Sequence, residues 1–69
     1  MEITNEQKRQ VVNAQVTDWL VTRYGLQVQH RVQTGLGNAE AIKNVEDALG
    51  KCEQALDLLQ KELEGIGVS

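Results

Sequence analysis

One run of spacings constrains this chain more than any other feature. From residue 42 the apolar side chains Ile42, Val45, Leu49, Cys52, Leu56, Leu59, Leu63 and Ile66 recur at alternating intervals of three and four residues. A strand alternates every second residue and cannot gather this set on one side. A helix of about 3.6 residues per turn places all of it in one stripe. Sustained over several heptads, the interval is that of a helix lying along another helix. Asn38 is suited to cap its start, Glu40 puts a carboxylate in the first turn, and Gly65 and Gly67 mark its end, so a helix is expected over about residues 39 to 64. Gly50 falls on its outward side, where it costs about 1 kcal/mol relative to Ala.

With Ile42 opening the heptad, Ala41, Ala48 and Ala55 follow one flank of the seam. Three small residues there widen the apolar face and let a neighbouring helix approach closely, as in the interior of a bundle. Cys52, in the middle of the seam, reads as a small hydrophobe, with no His or Arg within one turn to activate the thiol.

The first half is less regular. Thr4 and Gln7 form a capping box, so a helix is expected to begin near Asn5. Val12, Val16, Trp19 and Leu20 make an inward stripe, with Asn13, Gln15, Thr17 and Asp18 largely opposite. Residues 23–37, RYGLQVQHRVQTGLG, then carry two patterns. Leu26, Val28, His30 and Val32 alternate as in a strand, and Gly25 could close a helix in a Schellman cap. Against a strand, a lone one has nothing in the chain to pair with. A helix from residue 5 to about 34 would instead match the second in length and lie antiparallel to it across a Gly35-Leu36-Gly37 turn. Leu20, Tyr24, Val28 and Val32 continue a row that drifts around such a helix, which implies a kink or a change of partner near Gly25.

The expected fold is therefore all-α: one domain over residues 1–69, an antiparallel helical hairpin with its first helix kinked near Gly25. Two helices alone bury too little. A chain of this length removes only about 60% of its unfolded surface from water. A single cysteine and a single histidine exclude intrachain disulfides and a two-His metal staple, which leaves a partner chain. The seam Ile42, Val45, Leu49, Cys52, Leu56, Leu59 and Leu63 is then expected to serve both core and dimer, as a homodimeric four-helix bundle. A two-fold axis at mid-helix would bring two Cys52 side chains together.

Charge narrows the function. Residues 1–37 hold four cations against three anions, residues 38–69 three against seven, and the whole chain carries −3. Nucleic acid and anionic membranes are thus not the expected partners, since phosphate contacts need concentrated Lys and Arg. No apolar run reaches the roughly 20 residues of a membrane span, the start lacks an apolar leader core, and the lone cysteine suits a reducing compartment, so a cytoplasmic location is expected. No nucleophile and base are paired, no phosphate loop follows a strand and no metal-ligand spacing appears, so neither an enzyme nor a cofactor or metal site is expected. Glu46 and Glu53, one heptad apart, read as part of a solvated face, and His30 as an exposed residue near the turn.

Trp19 and Tyr24 are the only aromatics. Trp19 fills the bundle interior beside Val16 and Leu20 or, if exposed, anchors a partner; Tyr24, beside the expected kink, is open to either role. With Arg23 and Arg31 they form the expected partner surface, since Trp, Tyr and Arg dominate binding energies. The expected function is a small dimeric protein-interaction module of the kind phages and mobile elements encode, an inhibitor or anti-activator of a host regulatory protein.

The architecture resembles that of the plasmid copy-number protein Rop, a short hairpin that dimerises into a four-helix bundle and binds paired RNA loops. The likeness lies in length and heptads. It implies an RNA-binding alternative, with Lys8, Arg9, Arg23 and Arg31 as the available basic set. Residues 41–56, AIKNVEDALGKCEQAL, are slightly similar to the helical hairpin of phage anti-defence proteins that sequester cyclic nucleotides. That likeness implies a small-ligand sponge as a further alternative and assigns no site residue.

Overall fold

The structure, a computed structural model, describes residues 2–66. They form two helices, α1 (Asn5–Leu36) and α2 (Ala39–Ile66), packed side by side in a hairpin 52 Å long and 18 by 15 Å across. Residues 26–34 are helix, so the strand pattern is overridden. Thr4 caps α1 as its sequence implies. The Gln7 N–H donates to Thr4 Oγ1 at 3.1 Å and the Thr4 N–H donates to Gln7 Oε1 at 2.8 Å, which satisfies two amides that a helix start would otherwise leave open.

α1 then runs through Gly25 and Gly35 without a cap and ends two residues later than its pattern suggested. The Schellman closure is at Gly37, the one described residue with positive φ (71°). Gly37 N–H donates to the Thr34 carbonyl at 3.2 Å and Asn38 N–H to the Gln33 carbonyl at 3.1 Å. Asn38 at once caps the next helix, its Oδ1 accepting from the Ala41 N–H at 3.1 Å. The connection is thus Gly37-Asn38 alone. Asn38 finishes one helix with its amide and starts the other with its side chain, which forces an antiparallel return.

α2 continues through Gly65 to Ile66; Gly67, also expected to mark its end, lies outside the described residues. Every apolar member of its seam is turned inward. Val45 and Cys52 are buried, while Ile42, Leu49, Leu56, Leu59, Leu63 and Ile66 are half-buried. Ala41, Ala48 and Ala55 are half-buried beside them, so the three-sided face was read in the right orientation. Cys52 is 1% exposed within the single hairpin, the most enclosed side chain described. A two-fold axis passing beside it would have to reach it between α1 and α2.

Among the described residues Val12, Val45 and Cys52 are the whole of the fully buried core. Complete burial of a side chain of this size stabilises by about 1.5–3 kcal/mol, against about 1–2 kcal/mol of backbone entropy lost at every ordered residue. The half-buried seam and the backbone hydrogen bonds must supply the rest, and the hairpin is marginal by itself.

Candidate functional site

The inward side of α1 is a heptad seam of mixed chemistry. Arg9, Val12, Val16, Trp19, Arg23, Leu26, His30 and Gln33 alternate at three and four residues and all are at least half-buried. Two polar members reach across to α2. Arg23 Nη1 lies 3.4 Å from Glu53 Oε1, and His30 Nε2 lies 3.3 Å from Glu46 Oε2. Arg23 and His30 are one heptad apart, as are Glu46 and Glu53, so the two contacts repeat one register of the antiparallel pair. Glu46 and Glu53 are solvated as expected, at 60% and 64% side-chain exposure, yet each also meets a side chain of α1, and His30, expected to be exposed, is half-buried beside Glu46. Arg23 and His30 keep about a third of their side-chain surface, at 33% and 35%, so each contact contributes little by itself.

The opposite side of α1 differs from any ordinary outer face. Val11, Ala14, Asp18, Val21, Gly25, Val28, Val32 and Gly35 repeat the same three-four interval and are all exposed. Tyr24 and Arg31 stand in the adjacent row, also exposed. Val21 is 68% and Tyr24 62% open to solvent, and Val32 51%. Leu20, expected inward, is 41% exposed because it sits on the flank between the two seams. From residue 10 to 35 the chain holds three formally charged side chains, Asp18, Arg23 and Arg31, and Arg23 is turned to α2. α2 holds ten, among them the Asp57–Lys61 pair at 3.3 Å one turn apart.

The four residues expected to form one partner surface therefore divide. Trp19 and Arg23 belong to the inter-helix seam, Tyr24 is exposed on the outer side, and Arg31 is exposed on the flank where it lines a depression beside α2. Val21, Val28, Val32 and Gly25 complete that outer surface, and the expectation omitted them as binding residues. Their signal was present as a second three-four interval superposed on the first.

An open-sided depression of about 450 Å³ runs beside the seam, lined by Gln27, His30, Arg31, Glu46 and Leu49. Among the described residues no three His, Cys, Asp or Glu side chains group as a metal site, and no helix is long and apolar enough to cross a membrane. No protein-family model matches the chain, and comparison with curated proteins and with solved structures returns no match either.

Proposed function

We propose that this chain is a small homodimeric protein-interaction module whose binding surface is the outer side of α1. The observation that carries the reading is Tyr24, 62% exposed beside the row of Val21, Val28 and Val32 on a helix face with few charges. A solvated face gains nothing from such residues, while contiguous exposed apolar area with an aromatic at its centre is the make-up of a docking surface. Within this reading the chain is a binding protein, not an enzyme, and acts as an inhibitor or anti-activator by occupying a surface of a host regulatory protein.

The test is a pull-down from lysate of the source cell, or of its host, with wild type beside Tyr24→Ala and Val28→Glu chains that circular dichroism shows to be equally helical. Wild type should retain a protein that both variants lose. Equal recovery by all three would refute the assignment of this face.

The small-ligand sponge remains as a second reading because of the depression beside His30, Arg31 and Glu46, where one cationic and one anionic group flank an open volume. A nucleotide that fits it should raise the melting temperature with concentration. The RNA-binding alternative has no comparable grouping. Arg23 is turned to Glu53, and Lys8 and Arg31 are separated by about 35 Å of helical rise.

A further inference from the structure

We infer that the homodimer is held by the flank of α2 that carries Ala48, Lys51, Ala55, Leu58, Glu62 and Gly65, packed antiparallel on the same flank of a second copy. The inference rests on the homodimeric half of the proposed function, names its interface, and leaves the outer side of α1 to the other protein.

The first ground is a second row on α2. These six residues recur at alternating intervals of three and four, beside the seam that faces α1. At about 100° per residue they form one stripe, on the flank turned away from Glu46, Glu53 and the depression. Leu58 stands in the middle of it, 65% exposed on the more heavily charged of the two helices. Ala48, Ala55 and Gly65 leave room along the same line. An exposed leucine among small residues is a knob with holes about one turn away, and only another helix can bring the two together.

The second ground is charge. Lys51 and Glu62 are the two charged residues of the stripe, about 20° apart around the helix. Both are exposed, and neither has an ion-pair or hydrogen-bond partner among the described residues. The point midway between them, between Leu56 and Asp57, is also midway between Ala55 and Leu58 and between Ala48 and Gly65. A two-fold axis there sets each Lys51 level with the partner's Glu62, each Leu58 against the partner's Ala55, and each Ala48 beside the partner's Gly65. A parallel pairing would put lysine beside lysine and glutamate beside glutamate, which opposes association. The stripe is self-complementary in one orientation only, as an isologous interface must be.

The third ground is area. The chain exposes 5334 Å², whereas a compact monomer of its 7.7 kDa exposes about 4,300 Å². The excess, about 1,000 Å², covers the roughly 800 Å² that each partner gives to a standard interface. With the two α2 helices crossing in this way, the two hairpins stack face to face as four helices. Gln15, Thr22 and Gln29, on the adjoining edge of α1, are exposed and uncharged, so the second pair of helices brings no like charges together.

The experiment is sedimentation equilibrium over a concentration series for wild type, Lys51→Glu, Glu62→Lys, the double reversal and Leu58→Asp, each checked for helicity. Wild type should be dimeric at micromolar concentration. Each single reversal should weaken the dimer by about tenfold or more, and the double reversal should restore it to within about threefold. Leu58→Asp should leave a monomer at the concentrations where wild type is paired.

A dimer indifferent to the single reversals, or a double reversal without rescue, would overturn the inference and leave the homodimer standing on another face. A chain monomeric at all concentrations would remove both. Photo-cross-linking residues at positions 58 and 28, each in the full chain expressed in cells, separate this interface from the docking face. Position 58 should capture a second copy; capture there of a different protein, or of nothing, overturns the inference, whatever position 28 captures.

Discussion

α1 and α2 are close in length and share one interface, yet their outer faces are made differently. The outside of α2 is laced with Lys, Asp and Glu, including a one-turn ion pair, and holds its helix in water as most surface helices do. The outside of α1 interleaves valine, tyrosine, glycine and alanine with uncharged polar residues such as Gln10, Thr17, Thr22 and Gln29 and carries few charges, and nothing in the hairpin rests on it. The difference separates what a helix needs to fold from what it carries for another purpose. Both helices need one apolar stripe, and α1 has a second.

The sharpest way to break this comparison is to place a carboxylate on each kind of surface. Val45→Asp buries an unpaired charge in a three-residue core and should cost more than about 3 kcal/mol, abolishing the helical signal of the isolated chain. Val21→Asp, on the exposed face, should shift the melting of the dilute, dissociated chain by less than about 0.5 kcal/mol while removing capture of the partner protein. If the two variants unfold alike at high dilution, the outer face of α1 belongs to the core after all.

The next effect uses matched glycines. Gly25 and Gly50 both lie within helices with open space where a Cβ would go, one on each outer face. Gly50→Ala should stabilise thermal unfolding by about 1 kcal/mol at every protein concentration. Gly25→Ala should do the same, yet weaken capture of the partner protein where Gly50→Ala leaves it unchanged. Identical behaviour of the two would remove the special status of the α1 face.

The smallest effect concerns the register. A double-mutant cycle on Arg23→Gln and Glu53→Gln, read by denaturant melts, should return a coupling of about 0.2–1 kcal/mol that fades with salt. A coupling of zero would leave the alignment to the apolar seam alone.

Much of this was legible in the residues. The seam of α2, its alanine flank, the capping box at Thr4 and the cap at Asn38 are all local patterns, and local patterns survive into the folded chain. What the sequence hid in α1 is physical. Its inward seam mixes Arg9, Arg23, His30 and Gln33 with apolar residues, while its outward side holds more valine. A reading by hydrophobicity alone is therefore drawn toward Leu20, Tyr24, Val28 and Val32, a row that wanders from one side to the other. Arg23 and His30 become inward residues only when set against Glu53 and Glu46, one heptad apart on the opposing helix, which is information about two segments at once. The partner surface was legible in part for the same reason: Tyr24 faces outward and Arg31 lies on the flank, but Trp19 and Arg23, close in sequence, rotate to the other side.

The two-residue joint at Gly37-Asn38 also bears on how quickly the hairpin assembles. Contacts between the helices are nested around it, His30 meeting Glu46 across 16 residues and Arg23 meeting Glu53 across 30. Each pairing made near the joint shortens the loop that the next must close, and the entropy of closure grows only with the logarithm of loop length. Assembly can thus run outward from the joint as a zipper, one heptad on each helix at a time, with no long-range search to delay it. That places the chain among the topologies that fold fastest. A newly made copy has its α1 face formed as soon as its own helices have met.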